Sequence, residues 1–593
     1  MSLPPTNDAA ASAMSSTWHV VDALERFEAG RLTTFKKDGH QLVLGRRDDG
    51  DVFALDNRCP HEGYPLAQGD LRDCSLTCAW HNWKFDVRDG TCTLGGEDVR
   101  AYPVRVRGGR VEVDLADPGL ETVLPGLRAS LHRALFENDT SWALRAAARL
   151  LRAGAEPRDL LVDVARYDAR HAEYGTTHTL AVAADCARLL QHFPGVEGLY
   201  PIAVALDLCA ESNVHLPERA APETLRGASL VTLRAAVDAE DAQRVQALLR
   251  GAFQGGTTVR EVQGWLFEIL SDRFLDFGHP LIYAVKAAEL LDGVEDTFAA
   301  DVYAALLDGI VHATREERLP YLRGYFRALP DDAQLARWKA SSRAEARFDF
   351  VAARDSVLDG SARDAVGAVR NALESGVSGP RVARALVAAA ARRFLRFDAR
   401  WEDDDDVAEN WLWATHRLTF ASAVRNTLQR CDAPQALRFL FQAAAFVHSG
   451  RRMDAAVHEP PNAHADDAAS PREPSFLVER VVEAVEARRA DRAVGAARAA
   501  LSAGAASALR AALEARCVRD PAVQPIFVAH ILKTTIVAFD EYEALAGEPD
   551  QDVPVLATVR FLASPLRERR VAAAARNALR WVVDGVMPRK LTQ

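Results

Sequence analysis

From Thr17 to Leu115, apolar and polar positions change over in short runs, as in Gln41-Leu42-Val43-Leu44, Val52-Phe53-Ala54-Leu55 and Val111-Glu112-Val113-Asp114. Successive side chains of a strand point to opposite faces, so this pattern predicts short half-buried strands. Turn pairs separate them: Asp38-Gly39, Asp49-Gly50, Asp89-Gly90 and Gly108-Gly109. The expectation is a small all-β domain over residues 17–117. After Pro118, Ala, Leu and Arg dominate and apolar positions recur at helical spacing nearly to the end, predicting a large all-α domain over residues 118–593. Two stretches break the period. Arg451 to Ser475, rich in Pro, Asp and Ala, reads as a long mobile loop, and Glu402 to Asp406 as a solvated acidic surface loop.

The helical part repeats itself. Ala365-Val366-Gly367-Ala368-Val369-Arg370 nearly matches Ala493-Val494-Gly495-Ala496-Ala497-Arg498, with weaker copies near Trp142 and Ala242. Each copy reaches a glycine (Gly154, Gly255, Gly376, Gly504) and then a histidine (His178, His279, His416, His530). Four helical units with a histidine at matching places predict a pseudo-symmetric bundle in which those side chains approach one axis.

Composition narrows the function. The 593 residues carry a net charge of −11, and 49% are apolar. No stretch mixes Lys and Arg with aromatics, which argues against nucleic acid, and the acidic balance argues against anionic membranes. No apolar run approaches the roughly 18 residues of a spanning helix. Met1 to Thr17 lacks the basic start and apolar stretch of a signal peptide, so a cytoplasmic protein is expected. Eight cysteines in so long a chain form no disulfide framework.

The clearest chemistry is Cys59-Pro60-His61 followed by Cys78-Ala79-Trp80-His81. Two thiolates on one iron and two imidazoles on the other are the ligand set of a Rieske [2Fe–2S] cluster, whose mixed ligation raises its potential. A Cys₂His₂ zinc site is the competing reading, but the C-x-H spacing suits a zinc finger poorly. On this motif, residues 17–115 resemble the Rieske domains of ring-hydroxylating oxygenases and Rieske ferredoxins. Quinol-oxidising Rieske proteins add a disulfide across the two cluster loops. The matching positions here are Tyr64 and Trp80, so the resemblance implies an oxygenase-type, lower-potential centre. Cys74 and Cys92 lie off those positions and read as ordinary buried residues.

A Rieske cluster moves single electrons and binds no substrate, so a second site is expected. The two-His, one-carboxylate iron site of ring-hydroxylating oxygenases follows D-x2-H-x4-H. Asp168, His171 and His178 come nearest, but the second gap is too long and the domain reads as helical. The repeat histidines offer a better site, with Lys533 one turn beyond His530 on the same face. Around them the chain resembles the questin oxidase family, helical enzymes of aromatic polyketide pathways. The matching pieces are Gly175-Thr176-Thr177-His178, Gly278-His279-Pro280-Leu281-Ile282, Thr415-His416-Arg417-Leu418-Thr419 and His530 with Lys533, across Leu127 to Ala546. The resemblance implies O₂-dependent opening of an anthraquinone ring at a mononuclear non-haem iron. It implies His178, His279, His416, His530 and Lys533 as ligands, the lysine carboxylated by CO₂. His171 is a ligand or outer-partner candidate. His312 and His448 read as structural residues near helix ends, His458 and His464 fall in the mobile loop, and His192 and His215 have no assigned role.

The main expectation is therefore a Rieske-fused non-haem iron oxygenase acting on an aromatic or quinonoid substrate, by C–C cleavage, Baeyer–Villiger-like insertion or hydroxylation. No G-x-G-x-x-G after a strand, P-loop or G-x-S-x-G is present, so electrons should come from a separate reductase or ferredoxin. By analogy with Rieske oxygenases, whose clusters often serve a neighbouring subunit, a homo-oligomer is also an expectation. Two alternatives stand beside it: an electron carrier or redox-responsive binding module with a helical docking scaffold, and a conventional Rieske oxygenase with a diverged facial triad.

Overall fold

The computed structural model describes residues 17–294, 296–327, 329–343, 346–404, 410–456, 473–564, 580, 583, 584 and 586. They form two compact units: residues 17–134 with 139–153, and residues 135–138 with those from 154 onward.

The first unit is built on ten short strands in three antiparallel sheets. Trp18–Ala23 pairs with Arg110–Asp114, which pairs with Val104–Arg107. Leu32–Lys37, His40–Arg46 and Val52–Asp56 form a meander, and Asp70–Arg72, Ser75–Thr77, Lys84–Asp86 and Cys92–Leu94 another. Two of the foreseen turns close two-residue hairpins: Asp38-Gly39 and Gly108-Gly109 both take positive φ, the twist such a hairpin needs. The strand His40–Arg46 is buried on both faces. Its Val43 joins a core with Phe53, Leu55, Leu66, Leu76 and Phe85, while Leu42 and Leu44 join a second core with Tyr102, Val111 and Val113. That placement explains why this strand reads as an apolar run. The helix Thr140–Arg152 belongs to this unit: its Arg145 Nε lies 2.7 Å from the carboxylate of buried Glu97, and its Arg149 pairs with the same group.

The β domain is followed by a helical region, as the change of period predicts, with 23 α-helices among the described residues. One succession recurs along the chain. The thirteen-residue helices Thr140–Arg152, Ala242–Gln254, Ala362–Glu374 and Ala490–Ser502 each precede a positive-φ glycine (Gly154, Gly256, Gly376, Gly504). A further helix and then a histidine-bearing helix come after each glycine, with the short helical turn Arg400–Asp403 between them in the third case. In the second case the left-handed residue is Gly256, one beyond Gly255.

The breaks in the period differ in part from expectation. Glu402 is not solvated: it is buried in the helical turn Arg400–Asp403, which rotates one member of the charge run inward. Asp405 and Asp406 lie outside the described residues. Arg451 to Met453 finish a short 3₁₀ turn, and Pro474, set at the first position of a helix where its missing N–H costs nothing, opens Pro474–Glu486. Residues 457–472, with His458 and His464, lie outside the described residues. Among the described residues no helix is long and apolar enough to cross a membrane.

Candidate metal centres

Two matching loops present the cysteine–histidine motif. In the first, Cys59 N–H donates to the Tyr64 carbonyl (2.9 Å) and Gly63 N–H donates to the Cys59 carbonyl (2.7 Å). In the second, Cys78 N–H donates to the Trp83 carbonyl (2.8 Å) and Asn82 N–H to the Cys78 carbonyl (3.2 Å). Each loop thus closes on its own cysteine through residues four and five places on. Gly63 and Asn82, the equivalent positions, both adopt positive φ, which glycine and asparagine tolerate best. Both cysteines are buried in the Phe85 core. Burial and the neighbouring Cys78 push the Cys59 thiol up to about 11, so a thiolate there calls for a cation. The imidazoles lie outward, with Nδ1 of His61 and of His81 3.1 Å apart. Two inward sulfurs and two converging outward nitrogens suit a [2Fe–2S] cluster.

Aromatic rings brace this site. The Trp83 indole stacks on His61 (4.7 Å, 8°), and Trp80 stacks on His81 (5.4 Å, 24°). Tyr64 and Trp80 meet edge to face, 5.2 Å between centroids. Cys74 and Cys92 are half-buried, not buried as expected: Cys74 lies 3.6 Å from the Arg47 guanidinium and Cys92 is 3.4 Å from the Leu94 carbonyl, at the margin of the core.

In the helical unit the four repeat histidines converge. One nitrogen from each of His178, His279, His416 and His530 lies within 4.8 Å of all the others. His178 opens the helix His178–Leu189 and His279 opens His279–Leu290; His416 and His530 lie inside Trp411–Arg430 and Pro525–Ala544. These four helices close a ring of contacts, each packed on two of the others. An ion pair ties every interface: Lys286–Asp185 (2.7 Å), Arg188–Asp540 (2.6 Å), Arg425–Glu541 (2.7 Å) and the looser Arg430–Glu289 (3.9 Å). They sit seven to fourteen residues beyond the histidines, roughly 10–20 Å along helices rising 1.5 Å per residue. The belt fixes the register in which the imidazoles meet.

Local structure aims each ring. The Asp168 carboxylate accepts from the Thr176 hydroxyl, the Thr177 N–H and hydroxyl, and the Asn213 amide, at 2.7–2.9 Å. It thereby holds the turn that delivers His178, and does not join the histidine group. Before His279, three successive residues are left-handed: Asp276, Phe277 and Gly278 (φ 40, 56 and 85). A Cβ at Gly278 would run into the Phe420 ring, so only glycine fits. Nδ1 of His530 donates to the Ile526 carbonyl (2.8 Å).

That bond leaves the Nε2 lone pair of His530 facing inward. Nε2 of His416 is 2.7 Å from Nε2 of His279 and 3.1 Å from that of His530, while Nε2 of His178 is buried without a hydrogen-bond partner. Burial holds His178, His416 and His530 well below the usual imidazole range and His279 at about 3. Four neutral imidazoles that bring one nitrogen each to one spot form a donor set for a cation. Lys533 is buried, its Nζ has no hydrogen-bond partner, and burial lowers it to about 7. It lies one turn beyond His530 on the same helix, and its charge also depresses all four histidines.

Among the described residues, the other histidines do not join this group. His171 stacks on Tyr167 (3.8 Å) and bonds that residue's carbonyl through Nδ1. His448 is engaged by the Tyr325 hydroxyl and the Gly360 carbonyl, His312 lies near Asp308, His192 bonds Glu514 and His215 lies near Glu137.

Residues 17–103 match the family model of the Rieske [2Fe-2S] domain. The 4beta-methylsterol monooxygenase of Methylococcus capsulatus is 30% identical over 119 residues, 18% of this chain and 32% of that protein. The chain therefore spans about a third of that relative. The ferredoxin component of the naphthalene 1,2-dioxygenase system of Pseudomonas aeruginosa is 30% identical over 105 residues, 17% of this chain and all of that protein. Among solved structures, the ferredoxin of carbazole 1,9a-dioxygenase from Nocardioides aromaticivorans IC177 is 33% identical, over 16% of this chain and 97% of that one, with a TM-score of 0.16.

Proposed function

Because this chain belongs, through residues 17–103, to the Rieske [2Fe-2S] domain family, we propose that it is a Rieske-fused non-haem iron oxygenase. The observation that carries the reading is the second donor set: four neutral imidazole nitrogens within 4.8 Å, beside a buried lysine without a partner. Cys59, His61, Cys78 and His81 would hold the cluster, and His178, His279, His416 and His530 a mononuclear iron. When bound, the cluster supplies one-electron transfer and the iron supplies reaction with O₂. The protein's own part is to keep the imidazoles neutral by burial and to hold their register by the ion-pair belt. Held at about 7, the Lys533 amine is partly uncharged at neutral pH. It can add CO₂, losing a proton to form a carbamate, the anionic donor that an all-histidine site lacks.

The substrate class follows from the resemblance to the questin oxidase family: an aromatic or quinonoid, polyketide-like ring, undergoing C–C cleavage, insertion or hydroxylation. Electrons would reach the cluster from a separate reductase or ferredoxin. The test is iron and acid-labile sulfide per chain on anaerobically purified protein. About three irons to two sulfides fits a cluster plus one mononuclear iron. About two to two, with no other metal, favours the second reading, an electron carrier, which the similarity of 17% of this chain to the whole of a ferredoxin component supports.

A further inference from the structure

We propose that Phe277, backed by Trp413, is the surface on which a flat ring stacks beside the four-histidine centre; this rests on the oxygenase reading above. Access to the centre is one-sided. His416, His530 and Lys533 are buried, whereas His178, His279 and Phe277 are only half-buried. The accessible side of the centre is therefore the one that His178, His279 and Phe277 share.

The ring is set by its neighbours. It lies 27° from the plane of His416 at 5.8 Å, and Trp413 meets it at 78° and 4.6 Å. Its centroid thus stands 5.8 Å from that of His416 and 6.3 Å from that of His279, so a planar molecule resting on its free side is held next to the four-histidine centre.

The backbone gives the second argument. Phe277 is left-handed (φ 56, ψ 18), a costly state for a bulky side chain. The turn is held by other groups. Glu316 accepts the Phe277 N–H (3.1 Å), and Asp276 pairs with Thr314 through both its carboxylate (2.9 Å) and its N–H (3.2 Å). Glycine or asparagine would serve the turn at less strain. The phenyl ring packs on Trp413 and His416 yet stays half-buried, so part of its surface is free for a ligand on the accessible side.

The experiment measures binding of anthraquinone-2-sulfonate, a flat three-ring probe, to full-length iron-loaded protein by calorimetry. A saturated sulfonate of similar size is the control. Phe277→Leu should weaken probe binding about tenfold, the scale of one lost aromatic contact, and leave the control unchanged; Phe277→Trp should restore it. Phe277→Gly removes ring and strain together, so the thermal midpoint should hold or rise while probe binding falls. Unchanged binding in Phe277→Leu, or a lowered midpoint with unchanged binding in Phe277→Gly, overturns the inference, as does failure of the parent to bind the probe. If Phe277→Leu loses its iron, Trp413→Leu carries the same comparison. Parent protein that binds the probe but holds no iron beyond the cluster counts against the oxygenase reading and leaves the stacking surface standing.

Discussion

Nε2 of His279 and Nε2 of His416 stand 2.7 Å apart, although they belong to helices 137 residues distant in sequence. One shared proton could satisfy that pair but not His530 as well, whose Nε2 is 3.1 Å from His416. His279→Ala should therefore lower iron from about three to about two per chain and abolish turnover, while the visible spectrum of the cluster persists. Full iron and full turnover in the variant would remove the second centre from the account.

Glu316 gives a pH signature. Burial raises its carboxyl to about 7, above the ordinary value near 4.3. A raised carboxyl binds its proton more tightly in the folded state, so its contribution is present at low pH and is lost as pH rises from about 4.5 to 7. The loss amounts to at most about 3.5 kcal/mol at 1.36 kcal/mol per unit. Glu316→Gln keeps the acceptor for the Phe277 N–H without the charge. The difference in stability between variant and parent should grow in favour of the variant between pH 5 and 7 and then level off; a difference independent of pH would contradict this.

The two cluster loops are joined by Tyr64 and Trp80, the positions where quinol-oxidising relatives place their disulfide. Edge-to-face pairs contribute about 0.5–1.5 kcal/mol beyond area. Trp80→Ala removes both this contact and the stack on His81. The cluster absorbance should then bleach several-fold faster under a chelator in air, and Trp80→Phe should recover part of the loss.

How far the sequence reached follows from the range of each interaction. The cluster ligands and the hairpins Asp38-Gly39 and Gly108-Gly109 are local, and short spacing displays them. The four histidines were visible because each follows a similar helix and glycine. The ion-pair belt was not: Arg188 and Asp540 are 352 residues apart, and nothing near either names its partner. Phe277 was missed because left-handed geometry at a phenylalanine has no sequence signal. Asp168 drew attention as an iron ligand, but its four hydrogen bonds become evident only once Thr176, Thr177 and Asn213 are brought around it.

The belt itself can be tested at Arg425 and Glu541, both buried, joined in a two-pronged pair of 2.7 and 2.8 Å. Removing one partner strands the other charge, which costs about 3–5 kcal/mol in buried pairs. Glu541→Ala should lower the thermal midpoint markedly and reduce iron in the helical unit. Arg425→Met with Glu541→Leu should fold more stably than either single variant yet hold iron less well, because an apolar pair restores packing without fixing register. Equal iron affinity in the double variant would reduce the belt to a stability device.

Asp168 and His171 separate the two iron-site readings. In a diverged facial triad both would be ligands, and His171→Ala should cost iron. In the structure His171 is stacked on Tyr167 away from the four-histidine group, so His171→Ala should leave iron content unchanged. Asp168→Ala should weaken iron binding for another reason. It frees the Thr176-Thr177 turn that delivers His178, with the loss of hydrogen bonds to a charged group each worth about 1.5–3 kcal/mol. The expected signature is a fall in thermal midpoint even without iron, which loss of a ligand alone would not produce. Paired measurements of metal content and apo-protein melting on the two variants decide between the readings: iron lost in His171→Ala, with an unchanged apo midpoint in Asp168→Ala, would restore the facial triad.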